Sequence, residues 1–245
     1  MLREFRCDFH IHTCLSPCAS LDMYPRALVE KCVSERIDAI AVCDHNASEN
    51  VPYVIRAAQG KTLVVFPGME ITSSEEVHVL ALFDNLEGLY EIQERVYGAL
   101  AGENNEDVFG CQAIVNEQDE VEGFNPRLLI GSTSLSLQEV VSGIHSAGGL
   151  AIACHIDRES FGVIGQLGFI PADVRFDALE ISHRTGLESA RAMFAEFSGY
   201  AFIESSDAHR LEDIGRGVTR ICMKEASIAE LKLAFSRKGN RRVLE

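Results

Sequence analysis

The sequence predicts an α/β fold, a single barrel-sized domain whose strand ends meet at one mouth, and three observations predict it. Short apolar runs alternate with helix-like segments along most of the chain, as in a βαβ architecture. At 245 residues, 47% hydrophobic and 24% charged, the chain is long enough to bury one full core. Six of the eight histidines, His10, His12, His45, His78, His155 and His209, lie in or just after predicted strands, and in a parallel barrel those ends converge.

The opening strand carries Asp8, His10 and His12 at alternate positions of Cys7 to Cys18. The period-2 pleat places these three on one face and Phe9 and Ile11 on the other. Taken alone, the same pattern describes a partly exposed edge strand with two solvated histidines. Pro25 then opens a helix whose apolar stripe, Ala27, Leu28, Cys32 and Val33, ends near Ile37. The buried run Ala39 to Cys43 delivers Asp44-His45-Asn46 at its end, and a helix from about Val51 to Gln59 stops at Gly60.

The third strand runs from Leu63 through Pro67-Gly68 to Thr72 and carries Glu70; the fourth, Val77 to Phe83, carries His78. A lone buried ionisable group of this kind is more often a hydrogen-bonded core residue than a ligand, so only its position among the other strands speaks for a site. Between residues 85 and 136 the rhythm breaks. A helix from about Leu86 to Leu100 leads into polar turns, and Ala113–Val115 and Arg127–Ile130, separated by an acidic turn, read as an inserted β-hairpin. Such an insertion serves as a lid, a substrate-selecting wall or a solvated decoration.

Regularity returns at Ser136-Leu137-Gln138-Glu139, a capping box for a helix that runs to Gly148-Gly149 and carries His145 near its end. Strands follow at Leu150 to Cys154, with His155, Asp157 and Arg158 after it, and at Ala178 to Ser182, with His183 and Arg184 after it. A helix from about Leu187 to Phe197, the strand Ala201 to Ile203 leading to Ser206-Asp207-Ala208-His209, a last strand at Val218 to Met223, and a helix capped by Ser227 and Glu230 complete the chain.

Composition narrows the function classes. The eight cysteines are scattered through a chain with core enough to need no staples, so reduced thiols are expected, and the single Cys14-x-x-x-Cys18 pair has no second pair to complete a structural zinc site. No apolar run reaches a membrane span, and Arg3, Glu4 and Arg6 stand where a signal peptide would be apolar, so a soluble, cytoplasmic protein without a membrane partner is expected. The net charge of −15 disfavours a non-specific hold on long nucleic acid. Cations in a carboxylate-lined site would offset part of that charge and admit an anionic substrate.

Six converging imidazoles, with Glu70 and Asp207, each need a cation or a hydrogen-bond partner, and a mixed imidazole and carboxylate shell suits Zn, Mn or Fe in a multinuclear site. At these residues the chain resembles the PHP family, the polymerase and histidinol phosphatase domains, over almost its whole length. Asp8-Phe9-His10-Ile11-His12-Thr13 resembles the family's first motif, Cys43-Asp44-His45 the second, His155 the third and Ser206-Asp207-Ala208-His209 the fourth. The resemblance implies a distorted (β/α)7 barrel, two or three divalent metal ions, and hydrolysis of phosphoesters.

It further implies that His10, His12, Glu70 and Asp207 hold a first metal, that Glu70 bridges to a second held by His78 and His155, and that His45 and His209 hold a third. Pro17-Cys18 stands where the family often supplies a further acid or histidine to the third metal; Asp22, the nearest carboxylate, is taken for that role, and a weak or absent third metal follows if it fails. Asp44 is expected to orient a ligand rather than bind metal. The chemistry expected is attack on phosphorus by a metal-bridging hydroxide, with Asp207 accepting its proton. Arg158 and Arg184 are candidates for bidentate phosphate contacts, against the commoner role of salt-bridge partners. His183 either protonates the leaving group or lines the pocket, and His145 is read as a helix-end residue. The expected substrate is a small phosphorylated molecule or a short oligonucleotide. The alternatives are a histidinol-phosphatase-like phosphomonoesterase and a non-catalytic metal-binding module, the last disfavoured because such modules usually lose ligands that this chain keeps.

Overall fold

The computed structural model describes residues 1–244. In chain order the elements are β1 (Arg3–Ile11), α1 (Pro25–Ser34), β2 (Ala39–Val42), α2 (Val51–Ala57), β3 (Val64–Thr72), β4 (His78–Leu82) and α3 (Leu86–Ala99). There follow α4 (Glu106–Phe109), β5 (Ala113–Val115), β6 (Val121–Phe124), α5 (Leu137–Ser146), β7 (Leu150–Ala153), α6 (Val163–Leu167) and β8 (Ala178–Ser182). The last elements are α7 (Leu187–Met193), β9 (Ala201–Ser205), β10 (Thr219–Met223), α8 (Ile228–Phe235) and β11 (Arg242–Val243). No helix among the described residues is long and apolar enough to cross a membrane.

Local chemistry accounts for the helix boundaries. Pro25 occupies the first turn of α1, where its missing N–H costs nothing. Ser136 and Glu139 form the reciprocal capping box at α5, and the Ser227 hydroxyl accepts from the Glu230 N–H at the start of α8. After α2 and α5 the chain turns through Gly60 and Gly148 with φ of 75° and 83°, a conformation that a side chain would strain.

The sheet order is β11-β10-β1-β2-β3-β4-β7-β8-β9. Seven of these strands, from β1 round to β9, form the barrel, which closes at one end where the His12 N–H donates to the Ala208 carbonyl at 3.0 Å and the Ala208 N–H to the His10 carbonyl at 3.2 Å. This is the distorted α/β barrel that the motifs imply. It departs from an all-parallel barrel at β4, which runs antiparallel to both β3 and β7, and at β10, antiparallel to β1. The connection from Thr72 to His78 is too short to cross over a parallel sheet, so β3 and β4 pair as a hairpin.

Two apolar layers hold the fold. Phe5, Cys7, Phe9, Phe66, Leu80, Leu82, Leu150, Ile152 and Ile203 fill the barrel with α8 packed beneath, and Leu28, Val54, Leu89, Ile92, Val140 and Ile144 press the helices onto its outside. All eight cysteines are free.

In the 85–136 stretch, α3 lays Leu89, Ile92 and Val96 on the barrel like the other helices. The hairpin beyond it pairs β5 with β6, not with Arg127–Ile130. The Asn116 side chain decides this, because its Oδ1 accepts from the backbone N–H groups of Gln118 and Glu120 and closes a tight turn that brings Val121 back first. The Leu128–Ile130 run is left irregular and is pinned to the barrel by the Asn46 amide, which donates to the Leu129 and Gly131 carbonyls at 2.9 and 2.8 Å.

Candidate metal centre

The open end of the barrel gathers the predicted histidines, and a bulge in β1 makes this possible. Cys7 pairs with Ala39 and Asp8 with Ile40, but Ile11 pairs with Val42, so β1 carries one extra residue between them. The inward parity changes there: Phe9 and His10 both face inward, Ile11 packs outside the sheet, and His12 points into the mouth. Asp8 therefore does not share a face with His10 and His12, contrary to the pleat expected from the sequence. It is buried behind the strand, where it accepts from the Ser206 N–H at 3.0 Å and the Gly215 N–H at 3.3 Å and so fixes the loop that carries Asp207.

At the centre lies Glu70. Its Oε2 is 3.4 Å from the Nε2 atoms of both His10 and His12 and 3.0 Å from His45 Nδ1, while its Oε1 is 2.7 Å from His78 Nδ1 and 3.5 Å from His155 Nε2. The two Nε2 atoms of His10 and His12 are 3.1 Å apart, and each is within 3.3 Å of Asp207 Oδ1. Ligands bound at about 2.0–2.1 Å to one small cation stand roughly 3 Å from one another, so this spacing fits a shared ion. His12, His45 and His209 form a further group able to hold one. Both Glu70 oxygens, His45 Nδ1 and His78 Nδ1 are buried with no hydrogen-bond partner. Orphaned buried polar atoms are costly, and their convergence here is what a cation would satisfy.

The supporting residues set the histidine tautomers. His10 Nδ1 lies 3.0 Å from Glu180, which leaves Nε2 to face Glu70 and Asp207; Glu180 also accepts from the His155 N–H. The Ser16 hydroxyl donates to Asp44 at 2.7 Å and so accepts from His12 Nδ1 at 3.0 Å, again turning Nε2 to the centre. Asp44, also held by the Thr13 N–H and hydroxyl, thus acts through Ser16. His209 Nδ1 donates to the Asp207 carbonyl at 2.9 Å. Glu180 was missed in the sequence, although an acid inside Ala178-Leu179-Glu180-Ile181 is the same signal that marked Glu70.

Charge and burial oppose each other throughout this group. Burial works against a charged His10 ring, yet Glu180, Asp207 and Glu70 outweigh it and hold its pKa well above the usual value. For Glu70 and Asp207, burial is likewise outweighed, by His78 and His10 for the first and by His10 and His12 for the second, and both stay well below the usual carboxylate range. His12, buried and beside His209 and His45, is pushed well down. Four residues of the mouth, Asn46, His155, Phe161 and Asp207, have φ of 49°, 24°, 61° and 50°. Each such backbone costs of order 1–3 kcal/mol and persists only where the surroundings hold it, as is common at functional sites.

The other candidates divide between two neighbouring cavities. His45, Glu70, His78, His155, Asp207 and His209 line an inner one of about 260 Å³ with Cys18, Arg158, Ile130 and Phe161. Phe161 stacks on His78 at 4.4 Å, and Ile130, from the 85–136 stretch, lines the same cavity. Arg158 Nη1 donates to Asp207 Oδ2 at 2.6 Å, so that carboxylate is shared between the arginine and the histidines. His183 and Arg184 line the outer cavity with Arg158 and Arg216. Asp22 is exposed and is not part of either cavity; it lines an adjoining surface hollow with Cys18, Arg210 and Glu212. His145, at the end of α5, pairs with Asp177 at 2.9 Å.

A family model described as PHP-associated matches residues 190–237. No curated protein matches the chain. Among solved structures, the lesion-specific endonuclease PfuEndoQ from Pyrococcus furiosus is 16% identical over 98% of this chain and 58% of that one, with a TM-score of 0.72. An endonuclease Q in complex with a 27-mer duplex bearing an abasic lesion at its active site gives 17% identity, the same coverage and a TM-score of 0.72. A Bifidobacterium adolescentis protein provisionally described as a metal-dependent phosphoesterase gives 20% identity over 83% of this chain and 87% of that one, with a TM-score of 0.55. The chain spans 58% of the length of the endonucleases it matches. At these identities the likeness is one of fold, and the fold is the one that the four motifs imply.

Proposed function

We propose that the chain is a metal-dependent hydrolase of phosphoesters, acting on a small phosphorylated molecule or a short oligonucleotide. One observation carries the proposal: Glu70 turns one oxygen to His10, His12 and His45 and the other to His78 and His155, as a carboxylate bridging two ions would. His10, His12, Glu70 and Asp207 would hold the first divalent ion and Glu70, His78 and His155 the second, with Zn, Mn or Fe suited to this donor set. Bound there, the ions supply a nucleophile available near neutral pH and neutralise charge on a phosphoryl group.

The chain's own residues do the rest. Arg158 holds Asp207 through Oδ2 and leaves Oδ1 facing His10 and His12, so one guanidinium both orients the carboxylate and presents its remaining N–H groups to the cavity. Phe161 and Ile130 wall the inner cavity and keep water from its apolar side. Arg184 puts positive charge on the outer cavity, where Arg216 is paired with Asp213 at 2.8 Å; a phosphate of the leaving group or of a neighbouring nucleotide would sit there, and His183 would protonate a leaving oxygen. The abasic duplex held by endonuclease Q supports the oligonucleotide form of this reading. The acidic net charge favours a short substrate over a long one.

Replacing Glu70 with Gln tests the bridge. Metal counted by mass spectrometry falls by at least one ion, and turnover falls with it, while the circular dichroism of the barrel is unchanged. Full metal content with unchanged turnover would remove Glu70 from the site.

A further inference from the structure

Cys18 stands at the edge of the inner cavity, beside two histidines that the paired ions proposed around Glu70 do not use, His45 and His209. The loop after β1 folds back so that the Ala19 N–H donates to the Ser16 carbonyl at 3.0 Å and the Ser20 N–H to the His209 carbonyl at 2.8 Å. The first bond closes the turn that carries Cys18, and the second ties that turn to the His209 loop. The residue is exposed, yet it lines the inner cavity together with His45 and His209. Asp22, the alternative carboxylate, does not line this cavity; it lines an adjoining surface hollow with Cys18, Arg210 and Glu212.

The neighbouring groups point to a ligand independently of the cysteine. His12, His45 and His209 bring nitrogen atoms within 4.8 Å of one another, and His45, only 7% exposed, leaves its Nδ1 without a hydrogen-bond partner. The His209 Nδ1 is engaged by the Asp207 carbonyl, so its Nε2 is the free donor. Two imidazoles and a thiol converging on one cavity form the kind of nitrogen and sulfur set that binds zinc or iron(II).

We propose that Cys18, as a thiolate, completes a third metal site with His45 and His209, making that site a soft one within an otherwise imidazole and carboxylate centre. The inference rests on the metal-centre reading above. When the ion binds, the S–H bond breaks, the proton leaves to solvent and the sulfur lone pair forms the metal bond, with no change of oxidation state. Thiolate ligation selects zinc, iron(II) or cobalt(II) over manganese at this position, whereas the pair of ions around Glu70 carries no such preference.

Stripped protein reloaded with cobalt(II), and separately with zinc, tests this by absorption and by metal counting. The native chain is expected to bind three ions and, with cobalt, to show a thiolate-to-cobalt charge-transfer band. Cys18→Ser loses the band and one ion while keeping the other two, and Cys18→Asp regains the third ion without the band. Metal loading also protects Cys18 from alkylation by iodoacetamide, read by peptide mass spectrometry. A native chain that binds two ions with no band, or a Cys18→Ser variant that keeps both band and third ion, would overturn the Cys18 assignment and leave the Glu70 pair standing. No bound metal in the native chain would overturn both.

Discussion

Glu180 shows how a residue remote from any substrate governs the site. It is 2% exposed, and its carboxylate takes both the His10 ring and the His155 backbone N–H. Removing such an orienting partner typically lowers metal affinity about 10–100-fold. Glu180→Ala is therefore expected to weaken the tightest site by that factor in a competition titration with a fluorescent chelator, with Glu180→Gln losing less because it keeps a hydrogen-bond acceptor; unchanged affinity in both would make Glu180 merely structural. At this scale the sequence was informative about the histidines, Glu70 and Asp207, because an ionisable residue at the end of an apolar run stands out. It pointed to Asp44 as a residue that orients a ligand but was silent on Ser16, through which Asp44 reaches His12, since that link lies in a 2.7 Å contact across two loops that no local pattern encodes.

The strands were legible as apolar runs, but their directions and registers were not. Alternation in Cys7 to His12 reads as a plain pleat, and only pairing with β2 reveals the extra residue that turns His10 inward beside Phe9. His78 illustrates the same limit: it opens β4 rather than ending it, and it reaches the mouth because β4 runs antiparallel to its neighbours. The hairpin partner was misplaced because the apolar run Leu128-Leu129-Ile130 looks more strand-like than the exposed β6, while the turn made by Asn116 decides the pairing. Leu80 of β4 fills the barrel beneath the site and is fully buried. Leu80→Ala is expected to cost about 2–5 kcal/mol by urea denaturation, with metal content unchanged in the folded protein. A cost under about 0.5 kcal/mol would show that the interior is not packed as described.

Across the whole molecule, the barrel concentrates acidic and imidazole groups at one end and leaves several of them without protein partners, so folding and metal binding are linked. A ligand that binds only the native state at about 100 times its Kd stabilises by about 2.7 kcal/mol. Chelated protein is accordingly expected to melt several degrees below the loaded form and to recover on adding zinc or manganese; identical melting curves would mean that the centre does not bind metal. The fold class was readable because convergence of strand-end histidines is a global property visible in a linear pattern, whereas the mixed strand directions depend on connection lengths and pairings that the pattern leaves open. The measurement that bears most directly on the proposed function is phosphate release. Stripped protein, reloaded separately with manganese, zinc and iron, would be offered phosphomonoesters, phosphodiesters and short 5′-phosphorylated oligonucleotides. The account predicts release that requires metal, favours one ester class and is abolished in Glu70→Gln, whereas no release from any of these by fully metal-loaded protein, or release that survives complete removal of metal, would contradict it.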